Sequence, residues 1–242
     1  MGLAGAFYAS ATAKSFDCGS LMTPAPSAAV APGASPTLGQ LQPDMGQQHV
    51  QPGSTQHYGL CPPASGPHYQ APNGPIAARF YAPNEAVLPQ GWIHNLEHGA
   101  IVITYSCTVG ACDDATAQAL RDVISAWIPS PICGLQPGTQ TPVVVRFDET
   151  STRFAAIVWD HVLFLDSLDK ARILDFYREW GDRTNPEKQC ASPSPSPTAA
   201  PSGSPAASST AAPSASPSAA APTAPAPTPA PTPAPTPSAS PS

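Results

Sequence analysis

The sequence has little charge and lacks any cluster of basic residues. Only 11% of its 242 residues are charged, and 10 lysines and arginines stand against 16 aspartates and glutamates, which gives a formal net charge of −6. A nucleic-acid groove or a surface that binds anionic lipids needs concentrated positive charge. We therefore expect no nucleic-acid partner.

Long hydrophobic runs are also missing. The C-terminal end lacks the large apolar residues that a folded segment would bury. No uninterrupted apolar stretch reaches the ~18–20 residues that a membrane-spanning helix needs. Residues 191–242 consist only of Ala, Ser, Pro, Thr and one Gly, so they cannot bury enough apolar area to offset their ordering entropy. Residues 22–53 are similarly rich in Pro, Ala, Gly, Ser and Gln. We predict a linker at 22–53, one globular domain at 54–190 and a disordered, stalk-like tail at 191–242.

The N-terminal residues and the cysteines indicate the cellular compartment in which the protein is found. Residues 1–21 begin with small apolar side chains and contain an A-x-A pattern at 11–13, which predicts a truncated signal or membrane anchor. The six cysteines include no Cys-x-x-Cys pair, and their even number favours disulfides in an oxidising compartment. The sequence leaves their pairing open. The candidates within the domain are Cys61, Cys107, Cys112 and Cys133.

The second half of the domain predicts the element order β-α-β-β-α. Residues 100–106, 142–147 and 154–159 are apolar and rich in β-branched side chains, as buried strands are, and we expect the second and third to form a hairpin. One helix is predicted after Asp113 or Asp114. A last helix is predicted from Ser167 to a left-handed cap at Gly181.

These elements indicate an α+β domain, with a small sheet and helices on one face. A thioredoxin-like arrangement is the alternative, because a β-β-α ending and a strand that starts at Pro142 suit it. Its Cys-x-x-Cys motif is absent.

The loop-rich first third of the domain carries the candidate chemistry. Residues 61–69 contain three prolines, which fix φ, so they predict a stiff loop that presents His68 and Tyr69. His94 and His98 are four residues apart and would share one face of a helical turn. Glu97 lies beside them and could orient an imidazole ring.

His94, Glu97 and His98 also match the H-x-x-E-H pattern of zinc peptidases. That chemistry needs both histidines on a helix, but Gly99 and a predicted strand leave room for barely one turn. A metal-dependent hydrolase is therefore a minor alternative, and a non-enzymatic role is favoured.

Two longer motifs suggest a family. Residues 62–68 read PPASGPH and residues 94–99 read HNLEHG, and His49 and Tyr58 precede them. Over about 49–187 the chain resembles an uncharacterised bacterial family, domain of unknown function 3105. The resemblance implies a bacterial protein that is secreted or anchored at the cell envelope, and it implies no established activity.

The motif histidines lead to a metal hypothesis. Imidazoles suit Cu(II) or Zn(II), whereas Cu(I) prefers thioether and thiolate ligands. The predicted ligands are His49, His68, His94 and His98, supported by Glu97, Tyr58 and Tyr69. The alternative is a structural or interaction domain on a stalk, with an unknown envelope partner and no cofactor, in which the histidines only hold loops together. His57 and His161 are expected to lie outside the site.

Overall fold

The computed structural model of the protein describes residues 15–25, 37–85 and 87–187. The predicted tail and most of the predicted leader lie outside these residues. The strands are β1 (Phe16–Leu21), β2 (Gln40–Leu41), β3 (His49–Val50), β4 (Gln56–Cys61), β5 (His68–Tyr69), β6 (Val102–Tyr105), β7 (Val143–Arg146), β8 (Phe154–Val158) and β9 (His161–Leu165). The helices are α1 (Pro89–Glu97), α2 (Asp114–Ser125) and α3 (Lys170–Trp180). The α+β class is confirmed.

A five-stranded mixed sheet has the order β2-β9-β8-β6-β7. The β6-α2-β7 segment places β7 parallel to β6, so the other edge of β6 is free to pair with β8. The predicted hairpin between the second and third strands is therefore wrong. The hairpin is formed by β8 and β9, which a turn at Trp159 and Asp160 connects.

Each face of the sheet carries its own hydrophobic core. Helices α2 and α3 pack on one face through Leu120, Val123, Ile173 and Phe176, as predicted for the two expected helices. The other face is covered by α1 and by the parallel pair β1–β4. Both faces of the central strands are buried, which explains why those strands read as continuous apolar runs.

The ends of the helices follow local side-chain chemistry. Asp113 caps α2, as predicted, since its carboxylate accepts from the Thr116 N–H at 2.8 Å. The cap of α3 is Asp169 and not Ser167. Gly181 ends α3 with φ at −55°, so the predicted left-handed cap is wrong. A glycine fits there because an added Cβ would lie 2.6 Å from the Tyr177 carbonyl oxygen.

The folded region includes parts of the predicted linker. Within 37–53, β2 extends the main sheet by pairing with β9, and β3 pairs with β5. Upstream, β1 pairs with β4. Strands β2 and β3 are too short to show a hydrophobic period. They gain their stability from the strands that they join. Paired strands are therefore present upstream of residue 54, where composition placed the start of the domain.

Within the described residues, disulfides join two pairs of cysteines. Cys18 of β1 is linked to Cys61 of β4, and Cys107 is linked to Cys112 between β6 and α2. Cys133 is also disulfide-bonded. These disulfides fit the predicted oxidised state, and they are consistent with a location outside the cytoplasm. In the part of the chain that the structure describes, no helix has both the length and the apolar character needed to cross a membrane.

The β8–β9 turn carries a carboxyl group with a shifted pKa. Burial raises the pKa of Asp160 to about 6, and the neighbouring carboxylate of Asp44 adds to the shift, while a hydrogen bond from Ser65 opposes it. Since the pKa in the unfolded chain is lower, the folded state binds this proton more tightly. Ionised Asp160 therefore lowers the free energy of unfolding above pH 6, and the penalty disappears as the pH falls from about 6 to about 4.

We expect Asp160→Asn to be more stable than the wild type at pH 8 by about 1 kcal/mol, a figure reduced for partial solvent screening. Asparagine tolerates the positive φ of 60° at this position. Urea unfolding at pH 8 and pH 4.5 measures the difference, which should be about a third as large at the lower pH. Equal stabilities at pH 8 would contradict the role given to this carboxylate.

Candidate metal centre

Three of the predicted histidines meet although they come from three segments. Strands β3 and β5 pair in parallel with His49 opposite His68, so both rings lie on the same side. Helix α1 packs against β5 and brings His94 to them. The ring centroids are 4.9 Å apart for His49 and His68, 5.1 Å for His68 and His94, and 5.4 Å for His49 and His94. The three rings therefore surround one small volume.

The carboxylate of Glu97 lies at the centre of this group. Its Oε2 atom is 2.9 Å from Nε2 of His68, 3.7 Å from Nε2 of His49 and 3.9 Å from Nε2 of His94. One ligand atom from each of the four residues lies within 4.8 Å of every other. Glu97 is 2% exposed, so it is removed from bulk water. The sequence predicted Glu97 as a supporting residue, and the structure places it among the candidate ligands.

Backbone carbonyls fix the tautomers of two of these rings. Nδ1 of His68 donates to the carbonyl of Gly66 at 2.8 Å, and Nδ1 of His94 donates to the carbonyl of Tyr69. A carbonyl can only accept, so each Nδ1 carries the proton. Nε2 of each ring then points towards Glu97, and the 2.9 Å contact between Nε2 of His68 and Oε2 of Glu97 is a hydrogen bond whose proton a metal ion would replace. Metal-binding histidines are commonly oriented by this kind of hydrogen bond.

The negative charge of Glu97 needs a positive partner within the site. A buried carboxylate requires a compensating charge, and in the described part of the chain only histidines lie within ion-pair distance of Glu97. Burial lowers the pKa of His94, and the nearby rings of His98 and His68 lower it further. Protonation of His94 is therefore a disfavoured source of that charge. Either a proton shared between His68 and Glu97 or a bound cation can supply it.

The loop before β5 is built to hold His68. Tyr58 is fully buried and donates its hydroxyl to the carbonyl of Pro67 at 2.7 Å. Gly66 has a φ of +122°, and its missing side chain leaves room for the Tyr58 ring, 3.0 Å from an added Cβ. Tyr58 thus supports the loop, and Tyr69 supports His94 through its backbone carbonyl.

Gly74 is a supporting residue that the sequence did not reveal. A Cβ at this position would lie 2.5 Å from the carbonyl oxygen of Tyr69 and 3.1 Å from Nδ1 of His94. A side chain there would therefore disturb the hydrogen bond that orients His94. Only the approach of residue 74 to helix α1 shows this role, since the sequence has many glycines in loops.

His98 lies beside the group and outside it. Its ring stacks on His94 with centroids 4.8 Å apart, and its Nδ1 is 3.3 Å from Oε2 of Glu187. The prediction that one ion joins His94 and His98 therefore lacks support from the geometry. Glu187 was not predicted as a site residue, although it belongs to the segment covered by the resemblance.

The two remaining histidines lie elsewhere, as expected. His57 is exposed and pairs with Asp17 of β1. His161 is buried against Trp180, with ring centroids 3.8 Å apart. Both are therefore suitable controls for the candidate site.

The arrangement differs from a zinc peptidase site. Helix α1 has nine residues, so it is longer than the single turn that the sequence predicted. However, His98 is the C-cap residue of α1 and faces Glu187, while Glu97 lies among the imidazoles. The H-x-x-E-H pattern requires both histidines on one ion, with the glutamate free to activate water. The arrangement of Glu97 and His98 therefore departs from the one that this pattern has in zinc peptidases.

Comparisons with known proteins place the chain in a family without giving it an activity. No curated protein and no solved structure shows significant similarity to it. A family model described as a protein of unknown function matches residues 49–194, which is more than half of the chain. This range contains His49, His68, His94 and Glu97. The chain therefore belongs to the DUF3105 family of proteins of unknown function.

Proposed function

We propose that this protein is an extracytoplasmic metal-binding domain that holds one Zn(II) or Cu(II) ion through His49, His68, His94 and Glu97. The observation that carries the proposal is the orientation of three imidazole Nε2 atoms towards one buried carboxylate oxygen. Two of these rings are locked by backbone carbonyls in the tautomer that a metal ligand needs.

The spacing of the ligand atoms suits such an ion. Zn–N bonds of about 2.0–2.1 Å in a tetrahedral site place the ligand atoms about 3.4 Å apart. The distances from Glu97 Oε2 to the three Nε2 atoms are 2.9, 3.7 and 3.9 Å. Small shifts of side chains would therefore form the site, and the backbone can stay as it is.

The donor set also selects the kind of metal. Three imidazoles and one carboxylate suit Zn(II) and Cu(II), whereas Mg(II) and Ca(II) prefer sites made of oxygen atoms. The described cysteines are oxidised, so they offer no thiolate for Cu(I). The same disulfides support the proposal that the protein works outside the cytoplasm.

The site supports binding better than catalysis. His68 is fully buried, and His94 and Glu97 are 7% and 2% exposed, so only the His49 side of the group is open. The polar contacts of His68, His94 and Glu97 are made within the group and with backbone carbonyls. A protein that stores, carries or senses a metal ion needs no more than this.

Metal addition is expected to raise the melting temperature of protein that was first stripped with a chelator. A ligand that binds only the folded state at 100 times its Kd adds about 2.7 kcal/mol to the free energy of unfolding. Differential scanning calorimetry with Zn(II) or Cu(II) measures the shift, which excess EDTA should reverse.

Magnesium at the same concentration is the control, since the donor set disfavours it. A melting temperature that stays constant with both transition metals would refute the proposed function. The histidines would then only hold loops together. This is what the alternative, a structural or interaction domain on a stalk, requires.

A further inference from the structure

A second group of possible ligands adjoins the first. Glu97, His98 and Glu187 each offer an atom, and these atoms lie within 4.8 Å of one another. Nδ1 of His98 is 3.3 Å from Oε2 of Glu187, close to the spacing of about 3.4 Å between ligands of one tetrahedral Zn(II) ion. The side chains of His98 and Glu187 are 35% and 36% exposed.

Glu97 belongs to both groups. A carboxylate has two oxygen atoms, so it can bind one ion with each and hold the two ions a short distance apart. The ring of His94, from the first group, stacks on the ring of His98, from the second, with centroids 4.8 Å apart. The two groups are therefore immediate neighbours, as the ligands of two-metal sites are, where the ions lie about 3.5–4 Å apart.

Building on the proposed function, we propose that Glu97 bridges the first ion to a second divalent cation, Zn(II) or Cu(II), held by His98 and Glu187. Three protein ligands and partial exposure leave the second ion open to water. It binds more weakly than the first ion and after it, because the first position has four ligands and is buried.

The segments around the second position hold His98 and Glu187, the two ligands that do not bridge the ions. Asn185 is 2% exposed, and its amide donates to the carbonyl of Glu187 at 2.7 Å. Gly99, which follows His98, has a φ of +90° and comes so close that an added Cβ would lie 3.3 Å from the Asn185 amide nitrogen. The nearest atom to that Cβ would be Oδ1 of Asp182 at 2.6 Å, so the segment after His98 packs closely against the segment that leads to Glu187.

Counting the bound ions tests the second position. Calorimetric titration of chelator-treated full-length protein with Zn(II) should give two ions per wild-type chain. His98→Ala and Glu187→Gln should each give one ion, with the affinity of the first ion within about tenfold of wild type. His57→Ala is the matched control, because it removes an exposed histidine outside both groups, and it should give two.

Copper provides an independent readout of the bridge. Two Cu(II) ions that share a carboxylate couple magnetically, so the paramagnetic resonance signal of the fully loaded wild type should be weaker than two isolated ions would give. Loading His98→Ala or Glu187→Gln should restore the full signal of one isolated Cu(II).

The outcomes separate this inference from the proposed function. One ion in the wild type and in both variants would overturn the second position and leave the first intact. Two ions in the wild type that persist in His98→Ala and Glu187→Gln would place the second ion elsewhere and overturn the inference as well. A wild type that binds no ion would refute the proposed function itself.

Discussion

Replacing His94 by alanine should weaken the binding of the first Zn(II) ion by more than about 100-fold, or about 2.7 kcal/mol. The variant removes one of four candidate ligands, and His94 has its Nε2 already free because Nδ1 donates to the Tyr69 carbonyl. Water can take the vacant position, but it lacks the preorganisation of the ring. Calorimetric titration of the variant and the wild type in the same buffer measures the change.

Glu97→Gln tests a second candidate ligand of the same site. The amide keeps the shape of the side chain and can still hydrogen-bond to His68, but it lacks the negative charge that attracts a cation. We expect a loss of affinity of about 100-fold or more with the domain still folded. The variant therefore separates loss of the ligand from loss of the fold, which a truncation such as His94→Ala does less cleanly.

Two histidines outside the group serve as controls. His57→Ala and His161→Ala should bind the first ion with wild-type affinity, since His57 pairs with Asp17 and His161 packs on Trp180. Circular dichroism in EDTA should show each variant folded before metal is added. Equal affinities for the wild type, His94→Ala and Glu97→Gln would show that the ion binds elsewhere.

Removing the Cys18–Cys61 disulfide should cost about 4 kcal/mol of unfolding free energy, whereas removing Cys107–Cys112 should cost about 2 kcal/mol. The reason is the length of chain that each bond closes, a separation of 43 residues against 5. A longer closed loop restricts the unfolded chain more strongly. The larger cost is a substantial part of the total stability of a typical domain.

Guanidinium unfolding of the two double alanine variants measures both costs. Alanine is preferred to serine because Cys61 is fully buried, and a hydroxyl there would lack a partner. The Cys107→Ala/Cys112→Ala variant is the matched control, since it also removes one disulfide. Equal losses in the two variants would contradict the explanation from loop length.

The sequence by itself determined the elements that have a strong hydrophobic pattern. The apolar β-branched runs at 100–106 and 154–159 became β6 and β8, and the helical spacing after Asp113 became α2. These signals are local, because a strand that is buried on the faces of a sheet shows this burial in the apolar pattern of its own residues. The motif histidines and the family were also recognisable from residues close together in the chain.

Pairing between distant segments was decided only by the tertiary structure. Strands β2 and β3 have two residues each, too few for any period, and they exist because β9 and β5 offer them free edges. The partner of Cys61 is Cys18 for the same kind of reason, since β1 and β4 lie side by side. Spacing along the chain holds no information on which edges will meet.

The same distinction applies to the site. On a helix, residues three and four positions after His94 both lie near its face, so the sequence could not choose between Glu97 and His98 as its companion. The packing of α1 against β5 turns Glu97 towards His49 and His68 and leaves His98 facing Glu187. The sequence therefore determined which residues are candidate metal ligands, and the contact between α1 and the β3–β5 pair decided which of them meet.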